Sequence, residues 1–160
     1  MGEKMMIFRK AESKDAAELA EMRWDFRHDP QERTPEVSKN EFLTYCREFL
    51  QESLEKGDWI GWMAEEDHRI ISHVFIKKIR KIPKPNRLKD EYGYVTNVYT
   101  RPEFRNQGIG KRLMAKVQEW AREEDLEILI VWPSQASVRF YERLGYSPEN
   151  EIMELVLRED

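Results

Sequence analysis

The chain has 160 residues, of which 40% are hydrophobic and 36% charged, with 27 Lys and Arg against 31 Asp and Glu for a formal net charge of −4. This is the size of one domain, spanning 1–160, with a core under a charged surface, and five Trp, six Tyr and seven Phe exclude a disordered polymer. The acidic balance argues against a generic nucleic-acid binder, no stretch reaches the roughly 20 apolar residues that span a bilayer, and a single cysteine, Cys46, excludes an internal disulfide or a Cys-rich zinc site.

Met5 to Phe8 reads as a short strand. Ser13 fits an N-cap, after which Leu19, Met22 and Phe26 recur at helical spacing. Arg27 to Pro35 is charged, holds two prolines and reads as a loop. Ser38-Lys39-Asn40-Glu41 has the form of a capping box opening a second helix, with Phe42, Cys46, Phe49, Leu50 and Ser53 on one face and Gly57 as its stop. Trp59 to Glu65 and Ile70 to Ile79 flank the polar turn Glu66-Asp67-His68-Arg69, the pattern of a hairpin. Lys81 to Asp90 is a loop with Pro83 and Pro85, and Tyr92 to Thr100 is an aromatic, β-branched strand. Ile109, Leu113, Val117 and Trp120 then mark one face of a third helix. Ile128 to Trp132 predicts a strand, Ala136 to Leu144 a short helix stopped by Gly145, and Ile152 to Leu157 a last strand closing the sheet. The fold class is therefore α/β (α+β): a mixed, mostly antiparallel central sheet of six to seven strands flanked by about four helices.

The chemistry concentrates in Val98-Tyr99-Thr100-Arg101-Pro102-Glu103-Phe104-Arg105-Asn106-Gln107-Gly108-Ile109-Gly110-Lys111, which runs from a strand through a turn into a helix. Gly108 and Gly110 let backbone approach a ligand closely. The helix that starts there presents free N–H groups and the positive end of its dipole, an anion site suited to a pyrophosphate. Arg101, Arg105, Lys111 and Arg112 add positive charge to an otherwise acidic chain. Two other phosphate motifs do not fit. Arg105 stands where Walker A requires its first Gly, with Lys111-Arg112 following. Leu113 stands where the dinucleotide fingerprint requires its third Gly.

The stretch resembles the central motif of the GNAT superfamily of N-acetyltransferases, Gln/Arg-x-x-Gly-x-Gly/Ala, over Arg105 to Gly110. A second stretch, Ser134-Gln135-Ala136-Ser137-Val138-Arg139-Phe140-Tyr141-Glu142-Arg143-Leu144-Gly145-Tyr146, resembles the family's late Asn-x-x-Ala-x-x-x-Tyr-x-x-x-Gly-Phe helix. The resemblance covers nearly the whole chain. It implies an enzyme that moves an acetyl group from acetyl-CoA to a primary amine of a small molecule or peptide by direct attack, releasing coenzyme A; a cytoplasmic location is expected separately, from the lack of a secretory signal pattern, a membrane span and paired cysteines. Val98, Tyr99 and Thr100 would hold the pantetheine arm through backbone. Arg105, Asn106, Gln107, Gly108, Ile109, Gly110 and Lys111 would hold the pyrophosphate, and Ser134 stands where the family often has a cofactor-touching Asn. Tyr141 would be the general acid. For the general base, the family's Glu positions fall on Tyr94 and Leu129, which leaves Glu91 or a water held by Asn97. A different class remains open: a GNAT-fold module that binds acyl-CoA without turnover. A homodimer also stays open.

Other features are less specific. His28, His68 and His73 lack metal-ligand spacing, so no metal site is expected. Lys77 to Lys89 holds seven basic residues in thirteen, either a grip on an acidic partner or the CoA 3′-phosphate, or a solvated hairpin end. Arg23-Trp24-Asp25-Phe26 and the loop after it fall where the family covers its acceptor; Asp25, Asp29 and Glu32 there could attract a cationic amine.

Overall fold

A computed structural model describes residues 4–27 and 37–159, so Asp29, Glu32 and most of the loop read from Arg27 to Pro35 lie outside the described residues. The chain forms β1 (Met6–Lys10), α1 (Ala16–Arg27), α2 (Lys39–Lys56), β2 (Ile60–Glu66), β3 (Arg69–Arg80), β4 (Glu91–Thr100), α3 (Ile109–Glu123), β5 (Leu129–Val131) and α4 (Val138–Arg143). The five strands lie in sequence order. The first three pairings are antiparallel, and β4 pairs parallel to β5. The turn of the β2–β3 hairpin is made by Asp67 and His68, both with positive φ, the handedness that matches strand twist in a two-residue turn.

Each face of the sheet has its own core. Leu19, Ala20 and Met22 of α1 and Leu50 of α2 pack against Met63, Ile70, Phe75 and Tyr99. On the other face Leu113, Met114, Val117 and Trp120 of α3 pack with Val74, Ile76, Val95 and Tyr141. The apolar face read for α3 is thus the buried one. In α2, Ser38 makes its half of the expected capping box, its hydroxyl accepting from the Glu41 amide at 3.2 Å, and Gly57 closes the helix at φ +73°. The start of α1 differs from expectation. Ser13 opens a turn of 3-10 helix whose cap is Glu12, exchanging side-chain and backbone bonds with Asp15. Arg9 locks Asp15 in place through two bonds of 2.8 and 2.9 Å.

The expected strand at Ile152–Leu157 is not formed, which leaves five strands among the described residues. Local bonds compete with the ladder there: Ser147 Oγ accepts from the Glu149 amide and Asn150 Oδ1 from the Ile152 amide. β5 offers only three residues of edge. Ile152, Met153, Leu155, Val156 and Leu157 stay exposed, and a cleft of about 1130 Å³ separates this segment from β5.

His73 is wholly buried in β3. Its Nδ1–H donates to the Asn97 carbonyl at 2.8 Å, while Nε2 has no partner among the described residues. Burial holds its pKa down to about 4, against the raising effect of the Asn97 bond. Because the folded value lies below the unfolded one of about 6.5, the unfolded chain takes up the proton first. His73 therefore contributes stability above pH 6.5 that is lost as pH falls toward 4, about 3 kcal/mol in all. Denaturant melts at pH 7.5 and about pH 4 should show this loss, and His73→Gln, which cannot titrate, should lose correspondingly less over the same interval.

Candidate active site

The site is built where β4 leaves β5. The two pair only from Gly93↔Leu129 to Val95↔Val131. Beyond Val95, β4 has no strand on that side among the described residues, and its register to β3 jumps between Phe75↔Thr96 and His73↔Tyr99. The extra residue makes a bulge at Asn97, whose φ is +55°. Bulges bend a strand and re-aim its next residues. This one is pinned from two elements: His73 donates to its carbonyl, and Arg23 Nη1 of α1 donates to its Oδ1 at 2.9 Å. Val98, Tyr99 and Thr100 therefore form a β4 edge that diverges from β5.

At the end of that edge the chain turns through Pro102–Phe104 into α3. Asn106 and Gly108 both have positive φ, +62° and +75°. Gly108 is the N-cap of α3 and supplies no side-chain cap, so the helix's first N–H groups are left to a ligand or water. A Cβ built at Gly108 would meet nothing within 4 Å. Ile109 is buried and anchors the start of the helix, while Lys111 is exposed beside it. The other three cations have protein partners. Arg101 binds the Ile70 carbonyl at 2.7 Å and Glu18 at 3.3 Å. Arg105 binds the Thr100 carbonyl at 3.0 Å and lies over the Tyr99 ring. Arg112 lies over the Phe8 ring. Gln107 reaches back to the Glu103 carbonyl.

Tyr141 lies on α4 with its ring edge-on to Phe140 and Tyr146. It is 7% exposed, and burial raises its pKa above the ordinary phenol value. Tyr146 beside it is pushed up to about 12 by burial and by Tyr141, and its hydroxyl is sealed without a partner among the described residues. Phe140 touches the loop's helix: its ring is the nearest group to a Cβ built on Gly110, at 3.6 Å. Ser134 is exposed and bonds Ser137 at 3.0 Å, opening the turn before α4.

The structure brings together the β4 edge, the loop and α4, but not Glu91. That residue begins β4 at the end away from the loop. It lines a separate depression with Lys89, Glu123, Glu124 and Asp125, with Lys89 Nζ 3.7 Å from its carboxylate. Asn97, the other candidate to serve a base, has its carbonyl bonded to His73 and its Oδ1 to Arg23. The basic run from Lys77 is largely neutralised. Lys78 pairs with Glu124, Lys81 with Asp90 and Glu127, Lys84 with Asp90, and Arg87 with Asp90 and Asp125.

Sequence reasoning missed an aromatic group on the α1–α2 side of β4. Tyr94 stands 5.1 Å from Trp132 and 6.2 Å from Trp59, with Lys77 over the Trp59 ring. It also missed Arg23 and His73 as the pins of the bulge. The one signal in the sequence was a histidine inside an otherwise apolar strand.

A mixed sheet whose fourth strand breaks from the fifth, with an uncapped glycine-started helix at the opening, is the architecture of an acyl-CoA N-acyltransferase. The chain belongs to the acetyltransferase (GNAT) family, whose model matches residues 17–146. It is similar to an uncharacterized N-acetyltransferase of Methanocaldococcus jannaschii, 32% identical over 73 residues, which are 44% of this chain and 32% of that protein. It is also similar to the glucosamine 6-phosphate N-acetyltransferase of Trypanosoma brucei brucei, 32% identical over 75 residues, 47% of this chain and 51% of that one. The match thus spans about a third to a half of the length of these curated relatives. Among solved structures, a predicted acetyltransferase of Clostridium acetobutylicum crystallised with acetyl-CoA is 26% identical. It superposes with a TM-score of 0.77 over 96% of this chain and 97% of that one. Among the described residues no helix is long and apolar enough to cross a membrane.

Proposed function

We propose that this protein transfers the acetyl group of acetyl-CoA to a primary amine by direct attack. The observation that carries the reading is the meeting of two features: an unpaired β4 edge at Val98–Thr100, and a helix start at Gly108–Lys111 whose N–H groups lack a cap. The first suits an extended amide-bearing arm, which a strand edge can bind through backbone bonds. The second suits a pyrophosphate. Asn106 and Gly108 at positive φ turn the loop, Arg105 and Gln107 brace it, and Lys111 supplies an exposed cation. Ser134 borders the turn into α4 and completes the cofactor side.

Tyr141 serves as the acid. The amine nitrogen attacks the thioester carbonyl, the N–C bond forms, and the C–S bond breaks with its electron pair leaving on sulfur. The phenol gives its proton to that thiolate, whose own pKa is about 8.5. The proton released by the new amide nitrogen returns to the phenolate through water. The raised pKa of Tyr141 keeps it protonated and ready at neutral pH. Glu91 stays outside this reading because it lines a different depression. The acceptor class agrees with the Trypanosoma relative, named for acetylating an amino sugar.

Thermal denaturation with ligands tests the cofactor half. Acetyl-CoA or CoA at a hundred times its dissociation constant should add about 2.7 kcal/mol of stability, while NAD and ATP should leave the melt nearly unmoved. Equal stabilisation by NAD would overturn the assignment. Transfer of labelled acetyl groups across a panel of amines tests the other half.

A further inference from the structure

Among the described residues, Arg23 is a half-buried guanidinium without a counter-charge. Other part-buried cations have carboxylates: Arg9 has Asp15 and Glu65, Arg101 has Glu18, and Lys78 has Glu124. Arg23 has only the neutral Asn97 Oδ1 and the Phe26 ring, 6.0 Å away. Most of its five N–H donors are left without an acceptor among the described residues. Burial pulls its pKa down and Arg27 repels it further, and only Cys46 and Tyr94 act the other way. A partly desolvated cation costs the fold some stability without an anion, while its remaining N–H groups keep access to solvent and so to a ligand. It is kept economically where a ligand brings the anion, and the planar fork of arginine fits a carboxylate or phosphate through two parallel bonds.

Its position says which ligand. Arg23 grips the bulge residue Asn97, the point where β4 leaves β5. With the pyrophosphate at Gly108–Lys111 and the arm along Thr100 to Val98, the acyl end of acetyl-CoA arrives at that bulge. Arg23 comes from α1, on the face of the sheet opposite α3, so it meets the acceptor and not the nucleotide. We infer that the acceptor is an amine carrying an anionic oxygen group, a carboxylate or phosphate, and that Arg23 binds that group. A nearby cation also lowers the pKa of the acceptor ammonium, which aids loss of its proton on a face where Tyr94 replaces an acidic residue.

The inference rests on the proposed acyl transfer, and the test separates the two. Matched amines differing only in the anion are compared: amino acids against their carboxamides, and amino-sugar phosphates against the free amino sugars. Calorimetric titration into the CoA-loaded protein gives affinity, and acetyl transfer gives kcat and KM. Anionic members of at least one set should bind about tenfold or more tightly, and which set does so tells carboxylate from phosphate. Arg23→Gln, which removes the charge and is shorter than the Arg23 Nη1 that reaches Asn97 Oδ1, should erase the preference through KM, with CoA affinity changing far less than the anion preference; Arg23→Lys should keep part of the preference. Equal binding within both sets, or a preference that survives Arg23→Gln, overturns the inference. Anion-selective binding without transfer would support Arg23 as an anion site and overturn turnover. Absence of CoA binding would overturn the acyl-transfer reading and, with it, this acceptor assignment.

Discussion

Gly108→Asp is expected to weaken acetyl-CoA binding at least about a hundredfold while the protein still folds. The new carboxylate would stand at the N-cap of α3, where the pyrophosphate is proposed to sit. Two like charges about 4 Å apart in a partly desolvated site repel by about 4 kcal/mol, and a hundredfold in affinity needs only about 2.7 kcal/mol. The fold should tolerate the change because a Cβ there meets no atom within 4 Å. The cost in the folded state is backbone strain: φ is +75°, and a non-glycine residue in that region loses about 1 kcal/mol or more. Gly108→Ala carries the same strain without the charge. Calorimetry on both variants, each with its melt, then separates repulsion from strain. Unchanged affinity in the aspartate variant would remove the loop from the cofactor site.

The features legible in the sequence were local. The positive-φ glycines, the capping serine of α2 and the apolar faces of α1 and α3 each depend on residues a few positions apart, so pattern alone reveals them. The bulge depends on contacts that are remote in sequence: Arg23 and His73 meet Asn97 across 74 and 24 residues. No periodicity encodes such a meeting. The choice between the two readings of the basic run also turned on remote contacts. Its countercharges include Glu124, Asp125 and Glu127, at the far end of α3 and before β5, so Lys78, Lys81 and Arg87 of the run brace a hairpin end. The segment Ile152–Leu157 has strand composition but not a strand. Apolar content raises β-propensity, yet pairing needs an edge of matching length, and β5 has three residues. Glu91 begins β4 at the end away from the loop, a placement that sequence order does not reveal. Adjacency to a strand does not place a side chain at the end of it that is proposed to meet the cofactor.

Tyr141→Phe removes one hydroxyl and leaves a ring to pack. If the phenol protonates the departing thiolate, turnover should fall by roughly 10²–10⁴-fold, the range for loss of a positioned acid. The KM for acetyl-CoA should move far less, since the helix start and strand edge that bind it are untouched. Tyr141 sits in the core with Val95, Leu113 and Val117, so packing must be controlled. The Phe ring conserves that contact, and no protein hydrogen bond of the hydroxyl is lost among the described residues. The melting temperature should therefore stay close to that of the parent. A donor thioester with a more acidic thiol should shrink the defect, because a better leaving group needs less help from a proton. The pH profile gives a further sign. Burial raises the phenol's pKa, so the parent's rate should persist above the pH at which an ordinary tyrosine ionises, then fall, and the variant should lack that alkaline limb. Near-normal turnover with an unchanged melt would make Tyr141 a packing residue and hand the proton to solvent.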